Sequence, residues 1–280
     1  MADHKLAYLS LGSNLGDTLN NLQSAVFSIQ KMAGDVQRIS PIYKSSAWGF
    51  DSDDFLNVCL SINTALSPQK LLDTLLKIES QLGRVRFKEE GYQARTIDID
   101  ILYYDRETLF TETLVIPHPE ICYRKFVLKP LADIAPQFYH PVVNKDTRNL
   151  IQECRDKGRL EKTVFRLYKN REELFANTNF IAIEGNIGAG KTTLAHKISE
   201  DFNGKLVLER FADNPFLPKF YEEKARYAFP LEMSFLADRY QQLHDDINQY
   251  NLLKKYELSY KQHLMLYKYC HKKQISYLAS

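Results

Sequence analysis

Arg95-Thr-Ile-Asp-Ile-Asp100, running on into Ile101, is the stretch from which the rest of this chain can be read. With a side-chain period of two, a strand here turns Ile97, Ile99 and Ile101 toward a core and both carboxylates to the opposite face, spaced to ligate metal ions. Asp is disfavoured in strands, so two in one short run need a reason. Taken alone, the pentapeptide also suits the solvated face of an antiparallel sheet. Its neighbours favour chemistry: Arg84 and Arg86 follow a helix pattern, Arg95 adjoins the aspartates, and Pro117-His118-Pro119 and Arg124 come shortly after. Guanidinium groups take phosphate oxygens in forked pairs, so arginines near a carboxylate pair suggest a polyphosphate ligand.

Outward from that strand, short strand patterns alternate with two amphipathic helix patterns. Strand-like runs are Leu6–Leu11, Val58–Thr64, Thr96–Tyr104 and Thr113–Ile116; helix-like runs are Leu19–Ala33 and Pro68–Leu82. Ser67 stands as the N-cap before Pro68, and Gly83 just past the helix end. The order predicts an α+β domain over residues 1–158. A charged stretch at 159–177 reads as a linker.

Beyond it lies a second phosphate-handling signature, Gly185-Asn-Ile-Gly-Ala-Gly-Lys-Thr192, between the strand-like Phe180–Glu184 and a helix from Lys191. This is the G-x-x-x-x-G-K-[ST] phosphate loop in its required context. Backbone amides around Gly185, Gly188 and Gly190 would wrap the β-phosphate, Lys191 would reach the β- and γ-phosphates, and Thr192 would join a Mg²⁺ shell. A further strand-like run at Lys205–Glu209 suggests the start of a doubly wound α/β fold over residues 178–280.

Composition fits two soluble domains. The 280 residues exceed the usual single core, 44% are hydrophobic, and a net charge of +2 gives no bulk attraction to nucleic acid or membrane. Cys59, Cys122, Cys154 and Cys270 form no C-x-x-C pair, so they read as reduced thiols in a cytoplasmic protein. No apolar run approaches the roughly 18 residues of a membrane span.

Several ordered motifs across residues 5 to 150 carry a resemblance: Leu11-Gly-Ser-Asn14, Phe55-Leu-Asn57, Glu79 followed by Gly83-Arg-Val-Arg86, Arg95-Thr-Ile-Asp-Ile-Asp100, Pro117-His118 and Arg124-x-Phe126. Together they resemble 6-hydroxymethyl-7,8-dihydropterin pyrophosphokinase of folate synthesis. The resemblance implies a ferredoxin-like α+β domain that moves the β,γ-pyrophosphoryl group of ATP to the pterin hydroxymethyl group and releases AMP. It implies that Asp98 and Asp100 hold two Mg²⁺, and that Arg84, Arg86, Arg95 and His118 contact phosphates. Asn57 would read the pterin edge, Phe55 and Phe126 would sandwich its ring, and Arg124 would sit at the closing site. Tyr92-Gln93-Ala94 stands where the family often has Trp-Gly-Pro, and Trp48 falls in the stretch whose backbone faces the pterin.

The residues after the phosphate loop are similar to the deoxynucleoside kinases: Leu208-Glu209-Arg210-Phe211, Asp213-Asn-Pro-Phe-Leu217, Phe220-Tyr221-Glu222 and Phe229-Pro-Leu-Glu232 on to Arg239. That likeness implies Glu209 as general base, Tyr221 on the sugar 3′-hydroxyl, Glu232 against the base where many members use Gln, and Arg239 nearby. A deoxynucleoside is thus a candidate second substrate. From about residue 251 the stretch has no Arg or Asp and a single acid, Glu257, among lysines and tyrosines, so the kinase part reads as incomplete, its first strands lacking partners. Two other classes are set against this: a C-terminal interaction or dimerisation module, and an RNA-binding ferredoxin-like domain. The latter places aromatics where this strand carries Asp98 and Asp100.

Overall fold

The computed structural model of the chain describes residues 4–46, 52–84, 94–178, 180–183, 188–208, 214–255 and 265–268. Two compact units divide it, residues 1–174 and 175–280.

The first unit begins with β1 (Lys5–Ser13), α1 (Thr18–Met32), β2 (Asp35–Ile39), β3 (Tyr43–Ser45), β4 (Phe55–Thr64), α2 (Pro68–Gln81) and β5 (Asp98–Tyr104). A small hairpin of β6 (Leu109–Phe110) and β7 (Val115–Ile116) comes next, then α3 (Lys125–Ile134), α4 (Thr147–Glu153), β8 (Leu160–Lys162) and α5 (Arg171–Ala176), which crosses into the second unit. The main sheet runs β5-β1-β4-β3-β8, with β2 also paired to β4. Antiparallel pairing of β5 to β1, β1 to β4 and β4 to β2 and β3, with the two helices between them, makes an α+β domain.

Alternation builds the two faces of this sheet. Ala7, Leu9 and Leu11 of β1, Val58, Leu60 and Ile62 of β4, and Ile97, Ile99 and Ile101 meet Leu22, Val26 and Ile29 of α1 and Leu71, Leu75 and Ile78 of α2 in one core. On the other face Tyr8, Cys59, Leu102 and Tyr103 pack on Val127, Leu128 and Leu131 of α3. That second helix layer covers only part of its face. Beyond it lie Ser10, Gly12, Asn57, Asp98 and Asp100.

The ends of the helices set the direction of the chain beyond them. Asp17 caps α1, accepting from the amide of Asn20 at 3.0 Å. Ser67 occupies the N-cap of α2 without a side-chain cap bond, so Pro68 at the first helical position does the pre-organising there. At the far end of α2, Gly83 adopts φ +84°, its amide reaches the Ser80 carbonyl at 3.1 Å and the Arg84 amide reaches the Glu79 carbonyl at 3.0 Å. This is a Schellman turn, and it folds Arg84 back over Glu79.

The boundary between the two units falls after Leu174, within the 159–177 junction, and the stretch before it is built into the first unit: β8 extends the sheet along β3, and Gln23 of α1 donates to the Tyr168 carbonyl at 2.7 Å while accepting from its amide at 3.0 Å. An otherwise exposed edge strand of three residues gains a partner in this way. The second unit contains β9 (Phe180–Ile183), α6 (Lys191–Asp201), β10 (Lys205–Leu206), α7 (Leu217–Glu222), α8 (Lys224–Lys255) and β11 (Met265–Lys268). Its first strands do have a partner: β11 lies between β10 and β9, parallel to both, and takes the backbone groups of their facing edges. Among the described residues, no helix is long and apolar enough to cross a membrane.

Candidate active site

Strand register assembles the site. Gly12 of β1 stands opposite Asn57 of β4 on one side and Asp98 of β5 on the other; one step along, Ser10 stands opposite Cys59 and Asp100. Opposed residues share a face. Asp98, Gly12 and Asn57 therefore form one row across three strands, on the face left open by α3.

A cleft over this row is lined by Ser10, Gly12, Ser45, Phe55, Asn57 and Arg95 together with Asp98, Asp100, Arg124 and Phe126. Seven residues proposed from sequence thus come together: Phe55, Asn57, Arg95, Asp98, Asp100, Arg124 and Phe126. Phe55 and Phe126 are partly exposed at its wall, and Phe126 also packs against the α3-side core. The Arg124 guanidinium carbon lies 6.0 Å from the Phe126 ring centroid. Gly12 forms the floor, because a Cβ there would meet Asn57 Oδ1 at 3.5 Å and Phe55 Cδ1 at 3.7 Å, and any longer side chain would fill the space.

At the acidic end, Arg84 pairs with both Glu79 and Asp98, and Arg95 pairs with the other oxygen of Asp98. Glu79 is 2% exposed. Its Oε1 also accepts from the Ile99 amide at 2.8 Å, so it ties α2 to the strand segment between the two aspartates. Burial alone would lower the Arg84 guanidinium, but Asp98 and Glu79 outweigh it and hold the pKa above its ordinary value. The Asp100 carboxyl is pushed up to about 7, first by burial and next by the charge of Asp98, against the pull of Arg124.

Arg95 is fixed through its backbone: its amide donates to Asn14 Oδ1 at 2.8 Å, and its carbonyl accepts from the Asn14 amide at 3.1 Å. His118 does not line the cleft but a neighbouring groove with Phe110, Cys122 and His140. Its imidazole pKa is lowered by burial and by Arg124, with Glu120 and Asp98 opposing. Its Nδ1 accepts from the Glu120 amide at 3.2 Å.

Sequence reasoning missed Ser45, which is buried and accepts from Asn57 Nδ2 at 2.9 Å, and Ser10. No local signal marks a serine whose role depends on pairing across the sheet. Arg86, Trp48, Gly185 and Glu209 lie outside the described residues.

In the second unit Gly188 and Gly190 both take positive φ, +81° and +76°, and Gly190 caps α6, whose first two residues are Lys191 and Thr192. This is the backbone that a glycine-rich turn into a helix needs. Tyr221 on α7 is 70% exposed, and Glu232 on α8 is exposed; Arg239 lies on the same helix.

Comparison with known proteins matches the two units to two families. The profile of 7,8-dihydro-6-hydroxymethylpterin-pyrophosphokinase matches residues 8–136, and that of deoxynucleoside kinase matches residues 181–263, extending past the point near 250 where the likeness was expected to end. A 2-amino-4-hydroxy-6-hydroxymethyldihydropteridine pyrophosphokinase from Synechocystis is 42% identical over 148 residues, covering 52% of this chain and 75% of that protein. One from Aquifex aeolicus is 41% identical over 140 residues, covering 49% of this chain and 85% of that protein. Among solved structures, Plasmodium falciparum HPPK-DHPS with pterin and p-hydroxybenzoate matches with a TM-score of 0.48 at 16% identity, over 72% of this chain and 55% of that one.

Proposed function

The chain belongs to the 7,8-dihydro-6-hydroxymethylpterin-pyrophosphokinase family, and we propose that its first unit transfers the β,γ-pyrophosphoryl group of ATP to 6-hydroxymethyl-7,8-dihydropterin, releasing AMP, in folate biosynthesis. The observation that carries this reading is the single cleft holding an aromatic, amide-bearing end and a carboxylate- and arginine-bearing end. Its ligands are small molecules.

The residues fit Mg²⁺. Two carboxylates two residues apart on one strand face, one of them raised in pKa by burial and by the other's charge, form a hard oxygen donor set suited to a divalent cation. Mg²⁺ is held by one or two carboxylates with phosphate oxygens and waters completing its shell. Bound by Asp98 and Asp100, it would neutralise charge on the transferring phosphates. The chain supplies the rest. Arg84 and Arg95, now on Asp98, are within a side-chain swing of any polyphosphate there. Arg86, by its motif, would add a phosphate contact, as would His118 if it turned from the neighbouring groove it lines. Phe55 and Phe126 stack the flat ring, Asn57 reads its edge, and Arg124 closes over it. Rate then comes from alignment and charge placement, which is most of what phosphoryl-type transfer requires.

For the second unit we propose a nucleotide cradle formed by Gly185, Gly188, Gly190, Lys191 and Thr192, with Glu209 as base and Tyr221, Glu232 and Arg239 toward a deoxynucleoside. Residues 251–280 carry no arginine, so that stretch supplies no guanidinium to meet transition-state charge. The deciding experiment for the first unit is product analysis with Mg²⁺ and ATP: AMP should appear only when the pterin is present. ADP with the pterin, or no AMP at all, would sink the assignment.

A further inference from the structure

We propose that Ser45 sets the orientation of the Asn57 amide, and so dictates that the heterocycle present a hydrogen-bond donor to this wall of the cleft. The inference rests on the proposed function, in which the heterocycle lies over Gly12 beside Asn57. A primary amide offers two N–H donors and one carbonyl acceptor, and a free one can present either end. This one is not free. Asn57 is 3% exposed, and its Nδ2 donates to Ser45 Oγ at 2.9 Å and toward the Tyr43 carbonyl at 3.5 Å.

Both partners belong to β3, so the donors point along the sheet and Oδ1 remains for the cleft. Its position agrees, being the nearest heavy atom to a Cβ built on Gly12. Asn57 therefore accepts, and a ring N–H or exocyclic amine is the edge that suits it. Ser45 can hold the amide because its own strand is fixed on both sides. It pairs with Phe55 of β4 and with Leu160 of β8, and it is 7% exposed. Ser45 is thus a positioning residue: it touches Asn57, and Asn57 meets the ligand.

The test compares Ser45→Ala and Ser45→Thr with wild type. Losing one hydrogen bond of about 0.5–1.5 kcal/mol corresponds to roughly a 2- to 10-fold change. Ser45→Ala should raise the KM for the pterin by that factor with the KM for ATP within about twofold, whereas Ser45→Thr, which keeps the hydroxyl, should recover most of the difference. A pterin methylated at its ring N–H should lose more affinity in wild type than in Ser45→Ala. Both KM values rising together, or Ser45→Thr behaving like Ser45→Ala, would mean a merely structural serine and overturn the proposal. Calorimetric binding of the pterin, with and without a non-hydrolysable ATP analogue, separates the two readings. Unchanged pterin affinity in Ser45→Ala overturns the positioning role whatever the reaction. Weakened affinity with no AMP formed by wild type refutes the reaction and supports the role of Ser45.

Discussion

Replacing Asp100 by Asn should stabilise the ligand-free protein at pH 8 while abolishing turnover. The Asp100 carboxyl has a pKa of about 7 in the folded chain against 3.8 for an unperturbed side chain, a difference of about three units. A raised folded pKa means that the folded state binds the proton more tightly than the unfolded chain. Its contribution to stability is therefore fully present below pH 3.8, declines as pH rises toward 7, and is lost above that. At about 1.4 kcal/mol per unit the ceiling is roughly 4 kcal/mol; partial exposure, and strain shared with Asp98, bring the expected effect nearer to about 2 kcal/mol. For a unit of this size that is a rise in Tm of about 4–8 °C. Differential scanning calorimetry can follow the melt in a metal-chelating buffer. The advantage of Asp100→Asn over wild type should grow from pH 5 to pH 8, and Mg²⁺ should raise the wild-type Tm more than that of the variant. A variant melting at or below wild type at pH 8 would refute the account of the site as an acid pair built for a cation.

Asp98→Ala should cut AMP formation at least about 100-fold, because the metal and two arginines lose their common anchor, while shifting Tm little for a side chain that opens no core cavity; near-wild-type turnover would remove the metal role. Glu79→Ala should cost roughly 2–4 kcal/mol in urea unfolding, since it strands the Ile99 amide and leaves Arg84 with Asp98 as its one remaining carboxylate named at the site, whereas Glu79→Gln keeps an acceptor for the amide and should cost less than half as much. Equal losses would show that the amide contact contributes little. Lys191→Ala should leave pterin-dependent AMP formation unchanged and lower the nucleotide stoichiometry by calorimetry from two per chain to one; two equivalents in the variant would sink the second site.

How much of this could be read from the chain depends on the range of each interaction. The isoleucine–aspartate alternation and the Pro68 and Gly83 punctuation are local, and they placed β5, α2 and the Arg84 turn. Phe55, Asn57, Arg95, Arg124 and Phe126 came from ordered motifs rather than from periodicity, and the cleft gathers them. Ser45 escaped, and the part Glu79 plays beyond its motif was not legible, because their partners, Asn57 and Ile99, stand 12 and 20 residues away, which no helix or strand period reveals. β11 escaped for another reason. Met265-Leu-Tyr-Lys268 sits in a Lys- and Tyr-rich stretch, and only pairing with β9 and β10 distinguishes it.

Strict alternation would also have misplaced the end of β5. Counting by twos from Asp98 puts Tyr104 on the cleft side, yet Tyr104 joins the helix-side core with Ile101, while Leu102 and Tyr103 both pack toward α3. The β1–β5 register shifts between Tyr8 and Leu9, so that Tyr8 faces Tyr103 but Leu9 faces Ile101, and the extra residue on β5 absorbs the change of phase. A slip of one residue sends every side chain to the other face. Without the shift, the pairing that puts Tyr8 opposite Tyr103 would put Gly12 opposite Ile99, and the carboxylates would turn into the helix-side core. The bulge thus lets one strand serve two demands. Its far half packs against α3, and its near half holds Asp98 two strand spacings, about 10 Å, from Asn57. That span separates the carboxylate- and arginine-bearing end, proposed for phosphates, from the aromatic, amide-bearing end, proposed for the ring, and it is set by the sheet itself rather than by any loop.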